Sequence, residues 1–177
     1  MRGPVVLGDV GIRIDRNGVW HHQGAPFRRP ELVSLFASVL SRDGDGRYWL
    51  TTPAERAEVV VEDAPFLAVE LFRHGCGREQ VISLRTNIDE IVTIDGDHPL
   101  RIDIHPDTGE PAPYVALRDG LEARINRPVF YEMVNLSLEE KIDGSPLIGL
   151  WSRHRFFPLG PGGYGGGVES GDGDATP

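Results

Sequence analysis

Two arginines, Arg28 and Arg29, stand directly before Pro30 and a run of helical periodicity, in "RRPELVSLFASVL". A helix N-terminus exposes unpaired N–H groups and the positive end of its dipole, and guanidinium forks there add bidentate contacts to a phosphate or carboxylate. The pair is therefore a candidate anion site. The alternative is that they pair with Glu31, Glu62 or Asp63 on the surface. A second polar cluster lies in "SLRTN", with Arg85 on a strand and Thr86 and Asn87 at its end, where loop groups converge on ligands in many folds. Asn87 as a plain turn residue is the competing reading. Trp49 and Trp151, like Tyr48 and Tyr131, combine an aromatic face with a polar handle and could stack on a base or serve as core.

Other chemistry finds no agent in the sequence. His21 and His22 are adjacent on an extended run, so their side chains point to opposite faces and do not share an ion. His74, His98, His105 and His154 show no ligand spacing, and no metal or cofactor is implied. The segments "DEIV" and "IDGDHP" lack the calcium-loop pattern and read as solvated turns. No nucleophile elbow, phosphate-binding loop or dinucleotide fingerprint occurs, and "GGYGGG" has no strand before it or helix after it. Cys76, flanked by glycines, is either an exposed redox thiol or an incidental hairpin residue.

The elements that must position these groups follow from patterning. In "IRIDRNGVWHHQGAPF" Ile12 and Ile14 alternate with polar residues, Asn17-Gly18 turns the chain, and Val19-Trp20 resumes an extended run, which is a hairpin. Pro30 suits a first helical turn, and Leu32, Val33, Leu35, Phe36, Val39 and Leu40 fall on one helical face. "SRDGDG" ends the helix, and "RYWLTT" is a strand. From "AEVVVEDAPFLAVELF" through "EQVISLRTN" to "DEIVTI", short β-branched runs separated by turn residues predict antiparallel strands. "GDHPLRIDIHPDTGEPAPYVAL" is a further hairpin turning at Pro-Asp-Thr-Gly.

Three segments recur in order. "IRID" at Ile12–Asp15 returns as "LRID" at Leu100–Asp103, the Arg-Pro helix returns at Arg127-Pro128, and "RDGDGRYWL" returns as "KIDGSPLIGLW". This predicts an α+β protein built from duplicated hairpin–helix–hairpin units with mostly antiparallel sheets; chance matching of four-residue strings is the competitor. The expected division is 1–80, 81–160 and a Gly-rich flexible tail at 161–177, too poor in apolar groups to offset its chain entropy. Two units, each burying one apolar helix stripe, would leave a cleft at their junction.

The totals narrow the partners. The 177 residues suffice for one generous domain or two small ones, and 40% hydrophobic with 25% charged residues is the globular average. A net charge of −9 argues against duplex nucleic acid or an anionic membrane as the main partner. One cysteine, no apolar run of spanning length and no leader at Met1–Val10 give a cytosolic expectation.

The segments "DVGIRIDRNGVW", "GRYWLTTPAERAEVVVEDAPFLAVEL", "SLRTNIDEIVTIDGDHPLRI", "GLEARINRPVFYEMVNL" and "GLWSRHRFFPLG" resemble, in that order, the proteobacterial family known as domain of unknown function 1285, over roughly Gly8 to Gly160. The resemblance implies two related α+β halves, the second loosely like a pleckstrin-homology domain, and a groove between them for a nucleotide-like ligand in signal transduction. It implies no catalytic residues. The resulting expectation is a non-catalytic regulatory or sensor protein binding a small anion between its halves. Arg28, Arg29 and Arg85 would meet the charge, with Thr86 beside them, Asn87 would orient a polar group, and Trp49 or Trp151 would stack. The alternatives are a hydrolase acting at the same groove and an adaptor that binds a protein partner through an exposed sheet edge.

Overall fold

In the computed structural model, which describes residues 3–163, the alternation around Ile12 and Ile14 becomes the longest strand of the molecule, β1 (Val5–Ile14). Its inward residues Ile12 and Ile14 are buried, as is Trp20 on β2 (Trp20–His22), which pairs back on β1 with Trp20 opposite Ile14. The short β3 (Ala25–Pro26) completes that edge. After the helix α1 (Pro30–Ser38) the chain returns through β4 (Leu40–Arg42), β5 (Tyr48–Thr51) and β6 (Glu55–Val61). The first sheet has the order β3-β2-β1-β6-β5-β4, antiparallel except for the central β1–β6 pair.

The second sheet repeats this path. β7 (Phe66–His74), β8 (Val81–Thr86) and β9 (Ile91–Thr93) run outward, and β10 (Leu100–Ile104), β11 (Pro111–Ala116) and β12 (Glu122–Ile125) return inward. The order is β10-β11-β12-β7-β8-β9, again with one central parallel pair, β12–β7. A helix, α2 (Arg127–Asn135), follows, and then a three-stranded antiparallel sheet of β13 (Leu138–Ile142), β14 (Ser145–Ser152) and β15 (Arg155–Pro161).

The molecule is thus mostly β, with fifteen strands and two helices among the described residues, in two similar halves with mixed sheets. The structural repeat is not the one suggested by the sequence matches. "IRID" lies on the central strand β1, whereas "LRID" lies on β10 at the sheet edge. One helix links β3 to β4 inside the first sheet, while the other follows the second sheet entirely. Short alternating strings and Arg-Pro helix starts recur because any half-buried strand and many helix N-termini call for them. Residue 80 is no seam, because β7 before it hydrogen-bonds to β8 and β12 after it; the sheets part between Val61 and Phe66.

The helix α1 ends at Ser38, earlier than periodicity predicts, because Val39 leaves helical geometry and Leu40 enters a strand opposite Leu50. Leu35, assigned to the apolar face, is 61% exposed, and Ala37 is the buried residue. In α2 the pair Val129 and Met133 is buried, and Asn126 caps the N-terminus by accepting from the Val129 N–H at 3.0 Å. The expected tail from 161 begins bound: Gly162 N–H donates to the Pro146 carbonyl and Gly163 N–H to Glu139. Its remainder, 164–177, lies outside the described residues.

Both sheets contribute to one cluster of buried side chains, with Ile14, Trp20, Leu40, Phe66, Leu84 and Val115 among them. Each such side chain contributes about 1.5–3 kcal/mol on burial. Polar clamps complete the assembly. Gln80 Nε2 donates to the Trp151 carbonyl, and the fully buried Ser152 hydroxyl accepts from the Ile82 N–H and donates to the Ile94 carbonyl, tying the third sheet to the second. Arg118 reaches from the second half to the Ala37 carbonyl at the end of α1.

At the seam, Asp63 accepts from the Tyr114 hydroxyl at 2.6 Å and from Arg124 at 2.9 Å. Burial, and then the hydrogen bond to Asp63, push the Tyr114 hydroxyl from its ordinary 10 up to about 12. Its neutral form is therefore favoured in the folded state. That contribution is complete below pH 10 and disappears as pH rises through about 12. Tyr114→Phe is expected to lower stability by about 1–3 kcal/mol at neutral pH and to flatten the alkaline decline, as measured by urea unfolding across pH 8 to about 12.

Candidate functional site

The hairpin turn between β1 and β2 and the tight turn between β8 and β9 come from different halves and meet. In the first, Gly18 adopts a φ of +75°. In the second, Thr86 N–H donates to the Glu90 carbonyl and Thr86 Oγ1 accepts from the Glu90 N–H, which presents Asn87 at the tip. Asn87 Nδ2 donates to the Gly18 carbonyl at 3.1 Å, and its Oδ1 accepts from the Leu67 N–H at 3.0 Å. A Cβ on Gly18 would approach Asn87 Nδ2 to 2.8 Å, so the close approach requires glycine on both steric and dihedral grounds.

Beside this junction lies a cleft of about 240 Å³. Val19, Trp20, Phe27 and Arg28 line it from the first half, with Pro30, Val33 and Ser34 of α1, and Asn87, Ile88 and Asp89 line it from the second. Arg28 is exposed and makes no ion pair among the described residues. Glu62 and Asp63, its possible surface partners, are engaged with Arg13 and with Arg124. The helix beginning beside it has Arg29 at its N-cap and no side-chain cap. Trp20, 2% exposed and packed between Phe27 and Phe36, has an indole N–H with no partner. An orphaned buried donor costs about 1–3 kcal/mol. That N–H lies beneath the cleft surface, which itself carries the free Arg28 guanidinium and the second amide hydrogen of Asn87.

Of the residues singled out in the sequence, the structure brings Arg28 and Asn87 into this cleft. Arg29, the N-cap residue of α1, lines instead a separate shallow depression with Glu31, Leu32 and Leu35. Arg85 is one contact away: its guanidinium bonds Glu70 and Asp89, both at 2.7 Å, and Asp89 is a cleft residue. Those two hydrogen bonds, Glu70 first, push its already high pKa further up. Thr86 is fully buried and shapes the turn.

The two tryptophans expected to stack are committed elsewhere. Trp49, separated from β2 by β1 and β6, donates its indole N–H to Asp43 at 2.7 Å and carries the Arg56 guanidinium 4.1 Å from its ring centre. Trp151 sits in the third sheet, donates to Glu140 and lies under Arg78. Arginines of the same chain cover both rings. Trp20, Phe27, Ser34 and Asp89 are the cleft residues that sequence reasoning missed. The signal for Trp20 was an indole on the buried side of a strand, where its N–H needs a partner.

A strand-rich scaffold of two six-stranded halves with a third sheet appended, and a cleft where the halves meet, is the class of protein defined by this geometry. The chain belongs to the DUF1285 family. The N-terminal domain of unknown function of that family matches residues 3–64, and its C-terminal domain matches 65–159. That division coincides with the break between the sheets. A solved DUF1285 family protein from Silicibacter pomeroyi DSS-3 is 42% identical, with a TM-score of 0.82 over 90% of this chain and 84% of that one. Another, from Shewanella baltica OS155, is 28% identical, with a TM-score of 0.55 over 71% of this chain and 91% of that one. No curated protein matches the chain.

The clamp is directly testable. Asn87→Ala removes the side-chain bond between the turns and the one to β7, leaving the Gly18 carbonyl and the Leu67 N–H without those partners. Its expected cost is about 1–3 kcal/mol in urea unfolding. A similar loss is expected for Gly18→Ala, whose methyl group has no room beside the amide.

Proposed function

We propose that this chain is a non-catalytic, cytosolic ligand-binding or regulatory protein that holds a small anionic, nucleotide-like molecule in the cleft between its halves, with a role in signal transduction. The observation that carries the reading is an unpaired guanidinium, that of Arg28, and a spare amide hydrogen, that of Asn87, at one interdomain cleft beside the positive end of α1. In a chain of net charge −9, such a spot favours an acceptor-rich ligand. Arg28 meets the charge and the spare N–H of Asn87 orients a polar group. The likeness of the second half to a pleckstrin-homology domain belongs to the same proposal, supported by its two sheets and single helix.

Size refines the ligand. At about 240 Å³ the cleft is smaller than the roughly 300–1,000 Å³ usual for drug-sized molecules, so it fits a phosphate or carboxylate with a short body, or one end of a nucleotide. Among the described residues no helix is long and apolar enough to cross a membrane.

A thermal-shift series with nucleotides, sugar phosphates and small phosphorylated acids tests the reading. A ligand at a hundredfold excess over its Kd adds about 2.7 kcal/mol to stability. Arg28→Ala is expected to weaken the best compound about tenfold or more, with smaller effects from Arg29→Ala and Arg85→Ala. The compound should be recovered unchanged. Absence of any shift would remove the pocket reading, and turnover would replace it with the hydrolase.

A further inference from the structure

On the opposite, solvent-facing side of the first sheet lies a larger trough, of about 450 Å³. Its origin is local. Gly8 and Gly11 adopt positive φ values of 70° and 77°, and the pairing of β1 with β6 slips at Val6/Gly8 and again at Asp9/Ile12. Such bulges bend a strand and deepen one face of its sheet. Strand register then sets His21, Arg13 and Val60 side by side on that face, while Ile12 and Ile14 point into the core. Asp9 and Gln23, both beside Gly11, complete the lining.

Two of these polar side chains are held in place by carboxylates behind them. Asp15 Oδ1 accepts from the backbone N–H groups of Asn17 and Val19 at 2.9 and 3.0 Å, and its Oδ2 bonds His21 Nε2 at 2.9 Å. Nε2 is thereby occupied, and Nδ1 keeps its hydrogen-bonding capacity. Glu62 is fixed by the Arg16 N–H at 2.8 Å and engages one terminal nitrogen of Arg13, leaving the other guanidinium donors available. Asp9 spends Oδ1 on the Gly11 N–H at 2.7 Å and keeps Oδ2. Orientation from behind, with the remaining valences turned to a cavity, is how preorganised sites are built.

The lining carries one cation and one carboxylate, and the cation, although paired with Glu62 through one terminal nitrogen, keeps its other guanidinium donors. A simple anion would meet Asp9 unfavourably, and a simple cation would meet Arg13. A ligand that bears both signs satisfies both. We propose that the trough is a second small-molecule site, separate from the cleft, for a zwitterion of the amino-acid or dipeptide class. Arg13 takes its carboxylate, Asp9 takes its ammonium hydrogens, and His21, Gln23 and Val60 border the rest of the molecule. The volume falls within the range of roughly 300–1,000 Å³ typical of ligand pockets, so more than the backbone of one amino acid is accommodated.

Calorimetric titration of the full chain with the free amino acids and glycylglycine, alongside acetate, methylamine and glucose, decides the matter. At least one zwitterion should bind, and acetate and methylamine should each bind at least about tenfold more weakly, since each forgoes one charge-assisted contact. Arg13→Gln and Asp9→Asn should each weaken that zwitterion by about tenfold or more, whereas Arg28→Ala should leave it unchanged. Gln23→Ala, which breaks no ion pair, should lower affinity for the same compound and keeps the test valid if either charge substitution unfolds. Retention of trough binding in Arg28→Ala separates this site from the cleft whatever the fate of the cleft reading. The proposal is overturned if no zwitterion binds, if glucose binds in preference, or if binding persists undiminished in all three trough variants.

Discussion

The carboxamide of Asn87 is the interaction on which the functional geometry rests. It spans three segments that are remote in sequence: the turn after β1, the start of β7 and the tip of the β8–β9 turn. Apolar burial brings the two sheets together, but burial is non-directional and tolerates small slides. The amide adds direction. With one acceptor and one donor spent on opposite halves, it fixes the spacing between the first turn and the second, and that spacing is the width of the cleft beside it.

The cleft also holds a cation that stands outside the ion pairs of an acidic protein. Most of its arginines are neutralised at close range, Arg85 by Glu70 and Asp89, Arg101 by Glu122 and Asp103, and Arg124 by Asp63. Arg28 stands outside these networks among the described residues, next to a helix start whose dipole has the same sign. Two effects of modest size point the same way at one spot, and the aromatic floor of Trp20 and Phe27 lowers the local dielectric in which they act.

Much of the secondary structure was legible in the sequence, because hydrophobic period and turn chemistry are local properties. The hairpins at Asn17-Gly18 and at Pro-Asp-Thr-Gly, the strand at Tyr48 and the helix starts at Pro30 and Arg127-Pro128 all form where their residues direct. The partition into halves was less legible. Which strands share a sheet depends on long-range pairing such as β12 with β7, and nothing in "FLAVELF" names its partner. The candidate residues divided along the same line. Arg28 was singled out by its position before a helix and Asn87 by its place at a strand end, both local cues, and both line the cleft. Trp49 and Trp151 were misjudged because their acceptors, Asp43 and Glu140, and the covering arginines become neighbours only through folding. Trp20 was overlooked because a buried indole looks like any other core residue until its partners are counted.

Ser152 has an outcome that reaches beyond its own strand. Its hydroxyl is the interior partner of both the Ile82 amide and the Ile94 carbonyl, so peeling the last sheet away would strand two main-chain groups in a dry interior at once. The terminal sheet therefore has no gradual way to fray. Slow amide exchange at Ile82 and loss of the third sheet belong to a single concerted opening, and the appended sheet shares the fate of β8, the strand to which Ser152 binds it.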